Sequence, residues 1–79
     1  MHIDAETYWA AISTVIKMEM TALGLTQLKL AEQVGISRDA LGNYLSGKRE
    51  MPFKTFVNIA NALNMEPAKI IAIADARMK

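Results

Sequence analysis

The hydrophobic positions of this chain recur three and four residues apart in five successive segments. That spacing places them on one face of a helix. Glycine residues or short polar stretches separate the segments, and none of them reads as a strand. The pattern predicts helices over about residues 5–22, 27–34, 38–46, 52–63 and 67–77. The predicted fold class is therefore all-α, a compact bundle of five helices forming one domain over residues 1–79.

Two short helices at the centre of the chain are delimited by capping residues. Thr26 and Ser37 can each accept a hydrogen bond from an unpaired backbone N–H in the first turn that follows. Gly35 ends the first of the two helices, because the residue after a helix often needs a positive φ, which glycine adopts without steric cost. Two helices joined by a short turn containing glycine are the helix-turn-helix signature.

The second of these helices, predicted over 38–46, carries a polar face as well as a core face. Leu41, Tyr44 and Leu45 have the spacing of inward residues. The opposite face carries Asp39, Asn43 and Ser46, with Arg38 at the flank of the first turn. A polar face of this kind on a central helix indicates a surface at which something docks.

The first helix, which Asp4 is expected to cap, has two apolar stripes on adjacent faces. The stripe assigned to the core contains Trp9, Ile12, Ile16, Met20 and Leu23. The second contains Tyr8, Ala11, Val15, Met18 and Ala22. Either the second stripe widens the core face, or it contacts a second copy of the chain or another domain.

The last two helices have prolines at predicted first-turn positions, Pro52 and Pro67. The fourth helix has a core face made of Phe53, Phe56, Ile59, Ala60 and Leu63. In the last helix Ile70 and Ile71 cannot point the same way, so one of them is expected to face outward. This helix would then form a dimer contact or lead into a further domain.

Composition narrows the class of protein. Residues of the hydrophobic types make up 52% of the 79 residues, at or above the top of the usual range of roughly 45–50%, so self-association is expected. The chain has no cysteine, which excludes disulfides and thiolate metal sites within it. Since no apolar run approaches ~20 residues and the start does not resemble a signal peptide, a soluble cytoplasmic protein is expected.

Positive charge collects in one part of the chain, although the net charge is only +1. Residues 1–37 hold two lysines and four acidic residues. Residues 38–54 hold four basic residues, Arg38, Lys48, Arg49 and Lys54, against two acidic ones. This charge lies on and just after the predicted third helix, where phosphates would meet it.

From about Gly24 to Leu63 the chain resembles the lambda-repressor-like, or Xre-type, family of DNA-binding domains, and most closely its phage repressors. The residues that carry the resemblance are Gln27 after the cap, the small Ala31, Gly35 in the turn, Ser37 as the second cap, and the sequence Ser46-Gly47-Lys48-Arg49. The resemblance implies a sequence-specific regulator of transcription that binds double-stranded DNA. It also implies a repressor of phage or mobile-element origin, with helix 38–46 in the major groove.

Carried over from the family, the base-contacting positions are Arg38, Asp39, Gly42 and Asn43. Arginine pairs with guanine, aspartate accepts from cytosine, and asparagine reads adenine or holds a phosphate. Asp39 has an alternative role, because an acid in the first turn stabilises a helix through its dipole. Gly42 either lets the helix sit deep in the groove or is tolerated drift, since a glycine in mid-helix costs about 1 kcal/mol relative to alanine.

Phosphate contacts are expected from Gln27, Ser37, Tyr44, Lys48, Arg49 and Lys54, together with backbone N–H groups after Pro52. A module of this size offers few contacts, so a homodimer on a pseudo-palindromic operator is expected, with half-sites about one helical turn apart. No cofactor or metal is expected.

An enzyme is not expected, because the single histidine, His2, lies at the terminus and there is no cysteine, no pair of inward carboxylates and no Gly-rich phosphate loop. The main alternative is a protein-interaction module, such as an antitoxin or a repressor fragment. It would use the apolar faces of the first and last helices.

Overall fold

The computed structural model describes residues 3–79, and this part of the chain folds into five helices without strands. The helices are α1 (Ala5–Leu23), α2 (Gln27–Val34), α3 (Arg38–Ser46), α4 (Phe53–Ala62) and α5 (Pro67–Arg77). The predicted all-α fold is confirmed, and each predicted helix bound lies within one residue of the observed one. His2 lies outside the described residues. Over residues 3–79, none of the helices has the length and apolar character needed to cross a membrane.

The two central helices begin and end as predicted because their caps are local. Thr26 Oγ1 accepts a hydrogen bond from the backbone N–H of Lys29 at 3.1 Å. Ser37 Oγ accepts one from the N–H of Ala40 at 3.0 Å. Gly35 has φ 84°, in the left-handed region that glycine adopts at low cost. The cap, the glycine turn and the second cap together fix where α2 stops and α3 starts.

Each of the five helices contributes at least one fully buried side chain to a single core. Ile16, Leu30, Leu41, Ile59 and Ile70, one from each helix in order, are all 0% exposed. Burial of such a side chain contributes about 1.5–3 kcal/mol. Since the five lie in one cluster, the helices stabilise one another.

The C-terminal end of α1 departs from its predicted core stripe. Ile16 and Met20 are buried as predicted, but Leu23 is 55% exposed, so its assignment to the core was wrong. The chain turns at Gly24 directly after Leu23, and the backbone N–H of Leu25 bonds to the carbonyl of Met20 at 2.8 Å. Leu25, just after the turn, packs against the core, whereas Leu23 does not.

The second stripe of α1 is divided between core and surface. Val15 is 2% exposed, whereas Met18 is 49% exposed and Ala22 is also exposed. α1 packs most extensively against α5, and Tyr8 Oη donates to Asp75 Oδ1 of that helix at 3.4 Å. The wider core face is thus correct for the first half of the helix, and the second half leaves apolar groups at the surface.

Phe53 was wrongly assigned to the core face of α4. It is 71% exposed, while Phe56 is 5% exposed. α4 begins at Phe53 and Pro52 occupies the N-cap position instead of the first turn. The Phe53 ring therefore lies at the edge of the core, where its centroid is 6.2 Å from that of Phe56.

The expectation that Ile70 or Ile71 faces outward was also wrong. Ile70 is 0% exposed, and Ile71 and Ile73 are half-buried against the core. The reason is that α5 packs against both α1 and α4, so two of its sides are covered. Pro67 occupies the first-turn position as predicted.

Candidate nucleic-acid interface

α2 and α3 form a rigid pair because their facing side chains are buried. Leu30 and Ala31 of α2 and Leu41 of α3 are all buried in the same core cluster, and the two helices pack against each other. The turn between them is closed by the backbone N–H of Ile36, which donates to the carbonyl of Ala31 at 3.0 Å. The outer face of α3 is therefore presented in a fixed orientation relative to α2.

α1 holds the C-terminal end of α3 from behind through two hydrogen bonds. Trp9 Nε1 donates to the carbonyl of Tyr44 at 2.9 Å. Ser13 Oγ donates to the carbonyl of Leu45 at 2.6 Å. The last carbonyls of a helix lack partners within it, and Ser13, at 3% exposed, satisfies one of them inside the protein.

Sequence reasoning missed Ser13 and assigned Trp9 only an apolar role. The available signal was a polar residue lying between the two apolar stripes of α1, directly after Ile12 and two positions before Val15. A hydroxyl on the broad inward face of a helix needs a partner when it is buried. Here that partner is a carbonyl of α3.

An open groove runs along the outer surface shared by α2 and α3. It is lined by Thr26, Gln27, Leu28, Arg38, Asp39, Gly42, Asn43, Ser46 and Lys48. All four residues expected to contact bases are among these, with two of those expected to contact phosphates, Gln27 and Lys48. Residues of two successive helices thus form one continuous surface, most of it polar.

The remaining predicted phosphate contacts lie outside this groove. Ser37 and Lys54 are exposed, and the Ser37 hydroxyl already caps α3. Tyr44 faces inward, as its spacing predicts, and is only 9% exposed. The guanidinium carbon of Arg49 lies 5.7 Å from the centre of the Tyr44 ring, a cation–π distance. Tyr44 therefore positions Arg49 and leaves little of its own surface for a ligand.

Gly42 lies in the middle of α3, opposite the side chain of Gln27. A Cβ added to Gly42 would be 3.5 Å from Gln27 Oε1, an ordinary van der Waals distance, and its φ is not positive. Nothing within the described protein thus requires glycine at this position. The two explanations from the sequence, close approach to a groove and tolerated drift, both remain compatible with the geometry.

The basic side chains in and near this groove have no acidic partners among the residues that the structure describes. Within residues 3–79 the single ion pair joins Lys79 Nζ to Asp75 Oδ2 at 3.3 Å, at the exposed end of α5. Arg38, Lys48 and Lys54 form no ion pair with any described residue. Their charge is therefore directed to solvent or to an anionic ligand.

Comparison with solved structures agrees with the five-helix architecture. The structure matches that of ClgR, the clp gene regulator from Corynebacterium glutamicum, with a TM-score of 0.82 over 90% of this chain and 76% of that one. The two sequences are 21% identical, so this likeness shows a shared fold.

Comparison of sequences identifies the family. The uncharacterized HTH-type transcriptional regulator YqaE of Bacillus subtilis (strain 168) is 44% identical over 41 residues, which are 52% of this chain and 35% of that protein. The chain thus matches about a third of the length of this curated relative. The helix-turn-helix family model matches residues 16–70, which include α2, α3 and α4 complete. The chain therefore belongs to the helix-turn-helix family, in its Xre or lambda-repressor-like form.

Proposed function

We propose that this chain is the DNA-binding part of a transcriptional regulator, and that it reads a specific duplex sequence with α3 in the major groove. The observation that carries the proposal is the shared groove of α2 and α3, which joins Arg38, Asp39 and Asn43 in one open polar surface. The major groove of B-DNA admits an α-helix and displays a distinct pattern of donors and acceptors for each base pair. Membership of the helix-turn-helix family supports the same function.

The first two turns of α3 supply the proposed base contacts. Arg38 and Asp39 are exposed, and Asn43 is half-buried. Arg38 pairs with the O6 and N7 atoms of guanine, Asp39 accepts from the amino group of cytosine, and Asn43 pairs with adenine. Each good bidentate pair discriminates against the wrong base by roughly 1–3 kcal/mol.

Charged and polar groups on either side of α3 supply the proposed phosphate contacts. They are Gln27, Ser37, Lys48, Arg49 and Lys54, and the buried Tyr44 acts only by holding Arg49 in place. Such contacts fix the register of the protein on DNA without reading sequence. Because cations condensed on the DNA are released on binding, the affinity of the chain for DNA falls steeply as salt rises.

We further propose how the protein assembles and where it originates. The protein acts in the cytoplasm as a repressor of phage or mobile-element origin, and it binds a pseudo-palindromic operator as a homodimer. Symmetric operators mirror the twofold symmetry of dimers of this type, and a single small module buries too little surface for the usual specific affinity. The proposed regulator needs no cofactor and catalyses no reaction.

A protein-interaction module is the second candidate, and the exposed apolar end of α1 favours it. Met18 and Leu23 are 49% and 55% exposed on this helix. The other surface expected for such a module, the isoleucines of α5, is covered by α1 and α4. The apolar surface left for a protein partner is thus smaller than the sequence indicates.

Reversing charge at Arg38 or Lys48 separates the two candidates. Binding of the Arg38→Glu and Lys48→Glu variants to a mixed-sequence duplex is measured by fluorescence anisotropy at low salt. Lys69→Glu, which makes the same charge change on the exposed face of α5, is the matched control. We expect each reversal in the groove to weaken binding by about tenfold or more relative to the control, because it replaces a positive charge on the DNA-binding surface with a negative one.

If either variant binds DNA as tightly as the Lys69→Glu control, the proposed docking of α3 is wrong. The exposed apolar residues of α1 then become the leading candidate site.

A further inference from the structure

Leu28 is an exposed leucine set in an otherwise polar groove. It is 52% exposed and lines the groove between α2 and α3 together with Gln27, Arg38 and Asp39. Within the described part of the chain, it is the one large apolar side chain that lines this groove. Isolated apolar residues on a surface are ordinary, so it is the location of Leu28, and not its exposure, that is informative.

The fold does not need an apolar side chain at this position. Leu28 is the second residue of α2, and the buried face of that helix is formed by Leu30 and Ala31. Successive residues of a helix are about 100° apart around its axis, so Leu28 points about 200° away from Leu30. It is accordingly not part of the core cluster.

The major groove offers such a side chain one apolar partner. The edges of guanine, cytosine and adenine present polar donors and acceptors, and the phosphates are charged. Thymine alone presents a methyl group there, at C5. A leucine that lines the same groove as Arg38 and Asp39 therefore matches a thymine near the base pairs that these two residues would contact.

We infer that Leu28 is a further specificity-determining residue, which selects thymine through contact with its C5 methyl group at a position flanking those read from α3. The inference rests on the proposed docking of α3 in the major groove. It adds α2 to the elements that read sequence, whereas the family resemblance gives this helix only phosphate contacts.

The expected preference is modest. Removing one methyl group and its leucine contact from water changes affinity by about three- to tenfold, on the scale of burying a single methylene. A bidentate arginine contact discriminates more strongly. Leu28 would therefore give a modest preference for thymine at one base pair, whereas Arg38 would give a stronger preference at the base pair that it contacts.

Replacing thymine with uracil tests the contact with the methyl group alone, because uracil differs from thymine only in lacking the C5 methyl. A preferred duplex is first selected from a random library with the wild-type chain. Each thymine of its half-site is then replaced by uracil, one at a time, and the dissociation constant is measured for the wild type and for Leu28→Ala. We expect one replacement to weaken wild-type binding about three- to tenfold and to leave binding by Leu28→Ala unchanged.

Leu23→Ala is the matched control, since Leu23 is a similarly exposed leucine, 55% against 52%, that does not line the groove. It should show the same uracil effect as the wild type. Thermal unfolding of both variants checks that they are folded at the temperature of the titrations.

Each other outcome overturns the inference in a recognisable way. A selected half-site without thymine, a wild type insensitive to every uracil, or a uracil effect that persists in Leu28→Ala contradicts the role of Leu28. In these cases the selected duplex is still bound and the proposed function stands. If no duplex is selected at all, the proposed function fails and the inference fails with it.

Discussion

At the scale of single residues, Gly42 is the position where helix stability and proposed function conflict. A glycine inside a helix costs about 1 kcal/mol relative to alanine, and the structure has room for the extra methyl, 3.5 Å from Gln27 Oε1. With glycine at position 42, α3 is therefore less stable than it would be with alanine, although the packing of the protein has room for alanine. Close approach of α3 to DNA would explain that cost, because a side chain at Gly42 would meet the base edges.

Replacing Gly42 with alanine is expected to raise stability and lower DNA affinity. The free energy of unfolding should rise by up to about 1 kcal/mol, since alanine restricts the unfolded chain and favours the helix. Urea titration followed by circular dichroism measures this change, and anisotropy with the selected duplex measures affinity. Gly47→Ala is the contrasting control, because Gly47 has φ 84° and alanine there should lower stability.

Raised stability with unchanged affinity would contradict close approach at Gly42. The glycine would then be drift that the fold tolerates.

Residue-scale features that depend on distant partners were not predictable from the sequence. Trp9 and Ser13 bond to carbonyls 35 and 32 residues further along the chain. Helical periodicity indicates which face of α1 is inward, but it does not indicate which carbonyl of another helix will lie opposite. Helical spacing placed Asp39, Asn43 and Ser46 on the outer face of α3 in advance, whereas the roles of the groove residues, and the choice of Gln27 and Gly42, came from the family resemblance.

At the scale of helices, the sequence predicted those features that are set by residues close together in the chain. The bounds of α2 and α3 were predicted correctly because Thr26 and Ser37 cap the helices that follow them directly. The two misplaced core residues, Leu23 and Phe53, lie at the last position of α1 and the first position of α4. Periodicity gives the direction of a side chain around the helix axis, but it does not show how far along the axis the core extends.

Substitutions of Ser37 test whether the residue that caps α3 also contacts the DNA backbone. Ser37→Ala removes the hydrogen bond to the N–H of Ala40 and should lower the free energy of unfolding by about 1 kcal/mol. Ser37→Asp keeps a good cap and adds a negative charge that suits the helix dipole. Its stability should stay close to that of the wild type, whereas its DNA affinity should fall because the carboxylate repels a phosphate.

Denaturant unfolding and anisotropy titration of the three proteins separate the two roles. If Ser37→Asp binds the selected duplex as tightly as the wild type, Ser37 caps α3 and does not contact a phosphate.

At the scale of the whole molecule, the packing of α5 decides how much apolar surface remains. Judged alone, the three isoleucines of this helix indicate an exposed face, because one helix sequence does not show how many neighbours will cover it. Contacts with α1 and α4 cover two sides of α5 and bury Ile70 completely. The apolar surface that remains is dispersed over Met18, Leu23, Leu28 and Phe53, with Ile3 near the terminus.

The polar surface, by contrast, is concentrated. The structure joins α2 and α3 into one groove in which Arg38 and Lys48 form no ion pair with the described residues. A DNA duplex fits this distribution better than a protein partner does, since base edges require hydrogen-bonding groups and phosphates require positive charge. Sequence-specific binding through α3 is accordingly the binding mode that we propose.

The wild-type chain is used to select duplexes from a random library, and the selected duplex is then titrated beside a scrambled one. If α3 reads sequence, one sequence is enriched and bound more tightly than its scrambled form, and Arg38→Ala weakens this preference by about 1–3 kcal/mol. A symmetric pair of half-sites would support the homodimer. Equal affinity for the two duplexes, unchanged by Arg38→Ala, would show that α3 does not read sequence.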